Sequence, residues 1–497
     1  MRIDRARWGL ALLMLPTFIV AMDVTALLLA LPRLSADLGA DNVEQLWISD
    51  SYGLMVAGLV ITMGTLGDRI GRRRLLLTGA AAFAVLSMVA AFAVDPLILI
   101  VTRALLGVAG ATLAPSTLSL ITTMFRDDRE RGRAVAIWAT GQFAGGALGP
   151  VLAGVLLQHF WWGSVFLLAV PPMALLLIAG PALLPEFRSE RAGRLDPVGV
   201  GLSLAAMLLL VYGVKQLAVD GVVGGSSTVP AVALLVGAVL GVLFVRRQLR
   251  VEEPLLDLRL LRSRPFTAVL VGLVLAGVAM AGTGLLVTQY LQNVLDHSPA
   301  VSAALFAPMG LGVAAGTMTA PALARRVKQT TAIAGGLAVA ALGGLLLALV
   351  DGSLWLVITG ITVLALGTGP LFALGTGIVL GSVAPERAGS AASMSETGNY
   401  LGGSLGLALL GVLAAVVYRD RMDGASDSLA GAVATAPRLP ADQATTLLQH
   451  ARDAFTTALH VTGLTAAALF AALTALVLTM RQPATAAPAL EPEASHA

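Results

Sequence analysis

Apolar runs long enough to span a bilayer alternate with short polar connections along nearly the whole chain. Fourteen such runs fall at about 8–31, 46–66, 75–94, 97–122, 134–157, 163–184, 197–217, 230–246, 266–291, 299–322, 331–350, 354–380, 391–416 and 456–480. Each predicts an α-helix able to cross a ~30 Å hydrocarbon core, which takes about 20 residues at ~1.5 Å per residue. An even number of crossings puts both termini on one side. The runs group as six, two and six. That grouping predicts a six-helix bundle over 1–186, an inserted pair with a basic linker over 187–264, and a second six-helix bundle over 265–482. The second bundle carries a long loop at about 418–454, in which a short amphipathic helix is expected near 441–453. The Pro/Ala-rich tail, 483–497, is expected to be disordered.

The charges orient this array. With the N-terminus inside, the inside segments hold 25 Lys and Arg and the outside segments 5. By the positive-inside rule both termini are cytoplasmic. Dropping one span would scramble that alternation. The connection Gly67–Arg74 is echoed eight spans later by Ala320–Lys328, which is also short, basic and inside. Such an echo predicts two repeated halves with a substrate site between them.

Composition agrees and narrows the classes. Apolar residues are 57% of 497 and charged ones 12%, where soluble domains carry about 25% charged residues. The 54 glycines and 5% aromatics predict helices packed through small side chains. A pI near 9.6 would suit nucleic acid, but the arginines are spread over the inside loops, so no nucleic-acid partner is expected. The N-terminal Met1–Arg7 and the following apolar run read as a first span rather than a signal peptide, because the run is too long. The absence of cysteine excludes disulfides, thiolate catalysis and Cys-type metal sites. The only lysines, Lys215 and Lys328, do not follow glycine, so there is no phosphate-binding loop. His159, His297, His450, His460 and His496 show no zinc-hydrolase spacing. A metal site, an ATPase partner and an enzymatic role are therefore not expected.

Four charged residues lie inside the apolar runs, and Lys215 ends one of them. Asp23 lies ~14 Å from the Pro32 end of the first span, and Glu396 lies ~14 Å from Arg387, near a midplane. Intramembrane carboxylates at such depth mark transport or proton pathways. Asp50 is only ~7 Å into its span, so it is either a wet interfacial group or a functional one. Arg103, ~9 Å into its span, either snorkels outward or pairs with a buried carboxylate. Ser393, Glu396, Asn399, Tyr400 and Gly403 share one helix face, which makes Asn399 and Tyr400 candidate cavity-lining residues. Gly141, Gly145 and Gly149 also share a face, which permits close contact with a neighbouring helix, and Pro150 weakens the ladder there.

The stretch Gly67-Asp68-Arg69-Ile70-Gly71-Arg72-Arg73-Arg74 resembles the signature loop of the major facilitator superfamily. Asp23-Val24-Thr25 with Ala30-Leu31-Pro32 resembles the first-span motif of its fourteen-span drug:proton antiporters. Arg103-Ala104-Leu105-Leu106-Gly107 resembles the arginine motif of the fourth span. Gly145-Gly146-Ala147-Leu148-Gly149-Pro150, continuing to Gly154, resembles the fifth-span antiporter motif. Gln45–Ile48 with Asp50 and Tyr52, and the Glu396 region, are similar to the bacterial exporters of quaternary ammonium compounds.

The resemblance implies the all-α major facilitator fold in a bacterial cytoplasmic membrane, with two six-helix halves and two inserted helices. It implies export of lipophilic, cationic small molecules in exchange for protons, by a monomer that needs no cofactor beyond the proton-motive force. It gives Gly67, Asp68, Arg69, Gly71, Arg72 and Arg73 the role of a gating latch. Asp23, Asp50, Glu396 and Arg103 are the candidates for proton and substrate coupling. The further acid that the subgroup often carries in its tenth span has no counterpart in Met309–Ala314, which implies a narrower substrate range, disfavouring dications. The rival readings are a self-resistance exporter of a neutral or weakly basic antibiotic, a proton-symport importer, and a polytopic membrane enzyme or receptor.

Overall fold

The computed structural model describes residues 3–40, 42–125, 127–188, 196–223, 228–251, 254, 256, 258–381, 388–422, 425, 426 and 428–479. The regular structure among them is helical. The helices are α1 (Ile3–Leu38), α2 (Asn42–Ile70), α3 (Arg72–Ala91), α4 (Pro96–Met124), α5 (Asp128–His159), α6 (Ser164–Leu167), α7 (Val170–Leu183), α8 (Pro197–Val223) and α9 (Thr228–Gln248). They continue as α10 (Arg264–Gln289), α11 (Pro299–Ala324), α12 (Gln329–Leu347), α13 (Leu354–Gly381), α14 (Ala388–Met422), α15 (Leu429–Thr435) and α16 (Ala441–Leu478). Thirteen helical segments among the described residues are long and apolar enough to cross a membrane. The fourteenth expected span is α5, whose 32 residues run alongside α1 and α11. The tail 483–497 lies outside the described residues.

Two elements differ from their sequence patterns. The span expected at 163–184 is broken into α6 and α7, because Pro171 and Pro172 open α7 and offer no backbone N–H to continue α6. The short amphipathic helix expected near 441–453 is the first part of the 38-residue α16. It extends the last span beyond the bilayer instead of standing alone in a loop.

Helix starts follow local chemistry. Asp95 caps α4 by accepting the N–H of Leu97 at 2.8 Å and of Ile98 at 3.3 Å, with Pro96 in the first turn. Gly71 separates α2 from α3 at φ 113°, a conformation that a side chain would strain.

One buried cluster runs from Leu10 to Leu184 and a second from Leu260 to Val477, so each six-helix set has its own core. The two cores repeat the same packing. In the first, α5 lays Gly145 against the backbone of Phe18 on α1, and Gly149 against Met22 O, 2.8 Å from where a Cβ would stand. In the second, α14 lays Gly402 against the backbone of Val274 on α10, and Gly406 against Val278. These backbone contacts superpose α1 on α10 and α5 on α14. Asp23 then corresponds to Ala279, so the buried acid of α1 has an apolar counterpart in α10.

The halves meet along two seams, α2 with α14 and α5 with α11. The first is covered: the inserted α8 packs on both α2 and α14, and α9 packs on α8. Gly58 of α2 receives Leu204 of α8, and the rings of Trp47 and Tyr212 stack at 6.2 Å. The free face of α9 presents Val229, Val232, Leu235, Val236 and Val239 outward, the composition lipid requires. At the other end of this hairpin, Asp196 caps α8 through Gly199 N at 2.9 Å and takes hydrogen bonds of 2.7–3.0 Å from Arg247 on α9. Those guanidinium hydrogen bonds hold its carboxyl below the usual carboxylate range, so the clasp stays charged.

Candidate functional site

The glycine seat of α5 fixes the stretch of α1 that carries Asp23. Thr25 closes the same turn by donating to Ala21 O and Met22 O, both at 3.2 Å. From this fixed helix Asp23 reaches Arg103 on α4, and Arg103 Nη1 donates to Asp23 Oδ2 in an ion pair. Arg103 is 1% exposed, so its charge is satisfied inside the protein and not by snorkelling. Its Nε donates to Ile48 O of α2 at 3.2 Å. One guanidinium thus joins α1, α2 and α4, elements 80 and 55 residues from it in the chain.

Asp50 is 3% exposed, so it is buried and not a wet rim residue. The depth counted along α2 was small, but α14 covers that face. Ser404 Oγ of α14 donates to Asp50 Oδ2 at 3.0 Å, and Thr397 Oγ1 donates to Ala57 O at 3.0 Å. Both bonds cross from the second half to the first. Tyr400 lies on the same seam, half-buried against the first-half core, and its ring edge comes within 3.9 Å of a Cβ placed at Gly53. The backbone of Asn399 packs instead toward Gly277 of α10. Glu396 sits on α14, with a side chain outside the described set. Where α1, α5 and the turn after α10 (Tyr290–Val294) meet, a cavity of about 590 Å³ opens, lined by Leu29, Pro32, Arg33, Leu157, Gln158 and Gln292.

The basic loop is tied to its own half. Asp68 pairs with Arg72 at 2.6 Å, and Arg72 N donates to Phe187 O at 2.9 Å. Arg73 N donates to Glu186 Oε1 at 3.1 Å, while Arg73 and Arg74 bring their Nε atoms to 3.6 and 3.8 Å from Glu186 Oε2. Arg188 Nε returns to Ile70 O at 3.1 Å, and Arg73 Nη1 reaches Leu184 O at 3.0 Å. Arg69 is exposed. Sequence reasoning missed Glu186. Its signal was an acid placed directly after a helix end, in an inside connection that also holds Arg188, Arg191 and Arg194. A Cβ at Gly71 would also stand 2.5 Å from Glu186 Oε1, so the carboxylate would have to shift. Glu186→Gln keeps one acceptor for Arg73 N but removes the charge that gathers two arginines. Turnover is expected to fall about three- to tenfold with substrate KM unchanged. A KM rise with unchanged turnover would show that the cluster acts on binding instead.

Two glycine-seated helix bundles, a charge network buried between α1, α2 and α4, and two seams between halves are the architecture of a two-domain membrane transporter. Residues 13–407 match the Major Facilitator Superfamily. The chain belongs to that superfamily. It is therefore a multi-pass membrane protein that moves small molecules, not an enzyme. It is 41% identical to the multidrug efflux pump LfrA of Mycolicibacterium smegmatis, over 95% of this chain and 96% of that protein. It is 34% identical to the methyl viologen resistance protein SmvA of Salmonella typhimurium, over 88% of this chain and 90% of that one. A solved bacterial homologue of the human lysosomal transporter Spinster, inward-facing and unoccupied, aligns with a TM-score of 0.65 at 17% identity. It covers 97% of this chain and 100% of that one, which places the fold.

Proposed function

We propose that this chain is a proton-coupled exporter of lipophilic, cationic drugs or antiseptics, set in a bacterial cytoplasmic membrane with both termini in the cytoplasm. The observation that carries the reading is the buried Asp23–Arg103 pair, held where α1 meets α4 and away from water. The names of LfrA and SmvA support efflux and resistance.

The chemistry is competition for a carboxylate. Asp23 is satisfied by Arg103, by a proton, or by the charge of a bound cation. If proton and cation exclude one another, release of one accompanies binding of the other. A pH difference of one unit supplies about 1.36 kcal/mol per proton, and each 100 mV about 2.3 kcal/mol per net charge moved. That gradient is the only energy source the reading requires, and no bound cofactor enters it. Asp50, its Ser404 partner and Tyr400 lie where the halves separate, and Glu396 supplies the second-half acid. The Asp68–Arg72 loop latches the arginine-rich face in one state.

Everted vesicles test this reading. Ethidium is expected to accumulate against its gradient and to leave when an uncoupler dissipates the proton gradient. Accumulation that survives the uncoupler would overturn proton coupling. A panel with a neutral antibiotic then separates a dedicated resistance exporter, which would move the neutral compound and ignore ethidium.

A further inference from the structure

Arg103 poses a problem that the antiport cycle must solve. A guanidinium is in general a permanent cation. While Asp23 is ionised, the pair is neutral. When Asp23 takes up a proton, a buried cation is left without its counter-ion, and such a charge is strongly unfavourable in a dry interior. The structure provides a second partner. Arg103 Cζ lies 4.8 Å from the ring centroid of Tyr52 and 6.0 Å from that of Phe166, within cation–π range of both.

The two rings are built in. Tyr52 is 1% exposed and held edge-on by Phe83 at 6.4 Å. It fills a notch in α4, where a Cβ at Gly110 would stand 2.6 Å from its hydroxyl and one at Gly107 would stand 2.5 Å from Tyr52 O. Phe166 is held edge-on by Trp162 at 6.3 Å. The Tyr52 hydroxyl makes no hydrogen bond among the described residues, so the ring face is the part in use.

We propose that Tyr52 and Phe166 form an aromatic cage that holds Arg103 whenever Asp23 is neutral, and so make protonation of Asp23 possible during transport. The proposal rests on Asp23 as the proton carrier. The cage residues are positioning residues, acting on the proton through Arg103. The charged and titratable groups facing Asp23 are few. Arg103 comes from α4 and Tyr52 from α2. The α5 surface there is glycine, α6 and α7 carry no charge, and α10 has none between Phe266 and Gln289. Asp50 and Tyr400 lie beyond Tyr52, on the seam.

The test is gradient-driven ethidium transport by full-length variants reconstituted in vesicles, with external pH varied. In Tyr52→Leu, Arg103 grips the ionised Asp23 more firmly. Maximal rate is expected to fall about tenfold at neutral external pH, with KM within about twofold. One unit of added external acidity offsets a tenfold deficit, so the rate recovers within about one unit of acidification. Phe166→Leu, from the more distant ring, falls about threefold and recovers in the same way. Tyr52→Phe keeps the face and is expected to match the parent protein. A Tyr52→Phe defect equal to that of Tyr52→Leu would assign the role to the hydroxyl and overturn the cage. A Tyr52→Leu defect that acid does not relieve would mark Tyr52 as packing alone and overturn it too. If Tyr52→Leu fails to fold, Phe166→Leu carries the acid-relief outcome, and a Tyr52→Phe defect relative to the parent would assign the role to the hydroxyl and overturn the cage. Asp23→Asn separates the levels. Uphill transport surviving in Asp23→Asn sinks the proton-carrier reading itself. A silent Asp23→Asn together with ring variants that behave as parent at every pH sinks the cage only.

Discussion

Asp23→Asn is expected to reach the membrane at parental levels and to lose uphill export of a lipophilic cation by on the order of 100-fold or more, the scale of a deleted proton-transfer group. The prediction follows from what asparagine keeps and what it removes. Its amide oxygen still accepts from Arg103 Nη1, and Ile48 O still accepts from Arg103 Nε at 3.2 Å. The guanidinium therefore keeps its hydrogen bonds, and α1, α2 and α4 stay joined. What disappears is the ability to exchange a proton for a cation. Asp23→Leu makes the contrast. It leaves Arg103 with one fewer oxygen in a site that is 1% exposed, and breaking a buried pair in this way costs about 3–5 kcal/mol. Both variants remove the counter-charge, but the leucine variant also removes the acceptor, so it should melt below the asparagine variant, in which the amide oxygen and the Tyr52 and Phe166 rings still hold Arg103. Vesicle uptake beside a thermal melt of each purified variant checks both halves of the statement. Parental ethidium accumulation by Asp23→Asn would remove Asp23 from the coupling mechanism.

The helices were legible because lipid leaves a chain few ways to satisfy its backbone, so every spanning run declares itself in hydropathy. The charged residues were legible for the same reason: Asp23 and Arg103 are conspicuous in segments that otherwise hold no charge. Their partnership was legible only as a candidate, since a buried arginine calls for a carboxylate without saying which. The contact of residue 23 with residue 103 itself depends on α1 and α4 lying side by side in the folded half. Asp50 shows the limit of counting depth along one helix. Its short distance from the start of α2 allowed a wet position, yet α14 closes over it with Ser404. Tyr52 was noticed only as part of a motif, because a tyrosine among apolar residues carries no mark of the arginine beneath its ring. Glu186 was missed because a carboxylate after a helix end reads as solvated until a turn with φ 113° brings Arg73 and Arg74 around it. The break between α6 and α7 is different. Pro171-Pro172 stated it openly, and only the strength of the apolar pattern hid it.

Gly145→Leu is expected to cost the folded protein itself, and through it the site. A Cβ at Gly145 would overlap Phe18 O and stand 2.9 and 3.0 Å from Phe18 C and Cα. Those are backbone atoms of α1, which cannot rotate away as a side chain can. Only separation of α1 from α5 makes room, and overpacking of that kind costs about 1–3 kcal/mol or more. The displacement falls five residues from Asp23, on the helix that must bring it to Arg103. Gly402→Leu should behave alike, because α14 meets Val274 O on α10 in the same manner. Gly146 is the control. It neighbours Gly145 in the chain, but a Cβ there meets nothing within 4 Å, so Gly146→Leu should melt with the parent. Monodisperse yield in detergent and a thermal melt distinguish the three. Parental melting by Gly145→Leu would mean that α1 and α5 are not in backbone contact, and Asp23 would then need another account of how it is held.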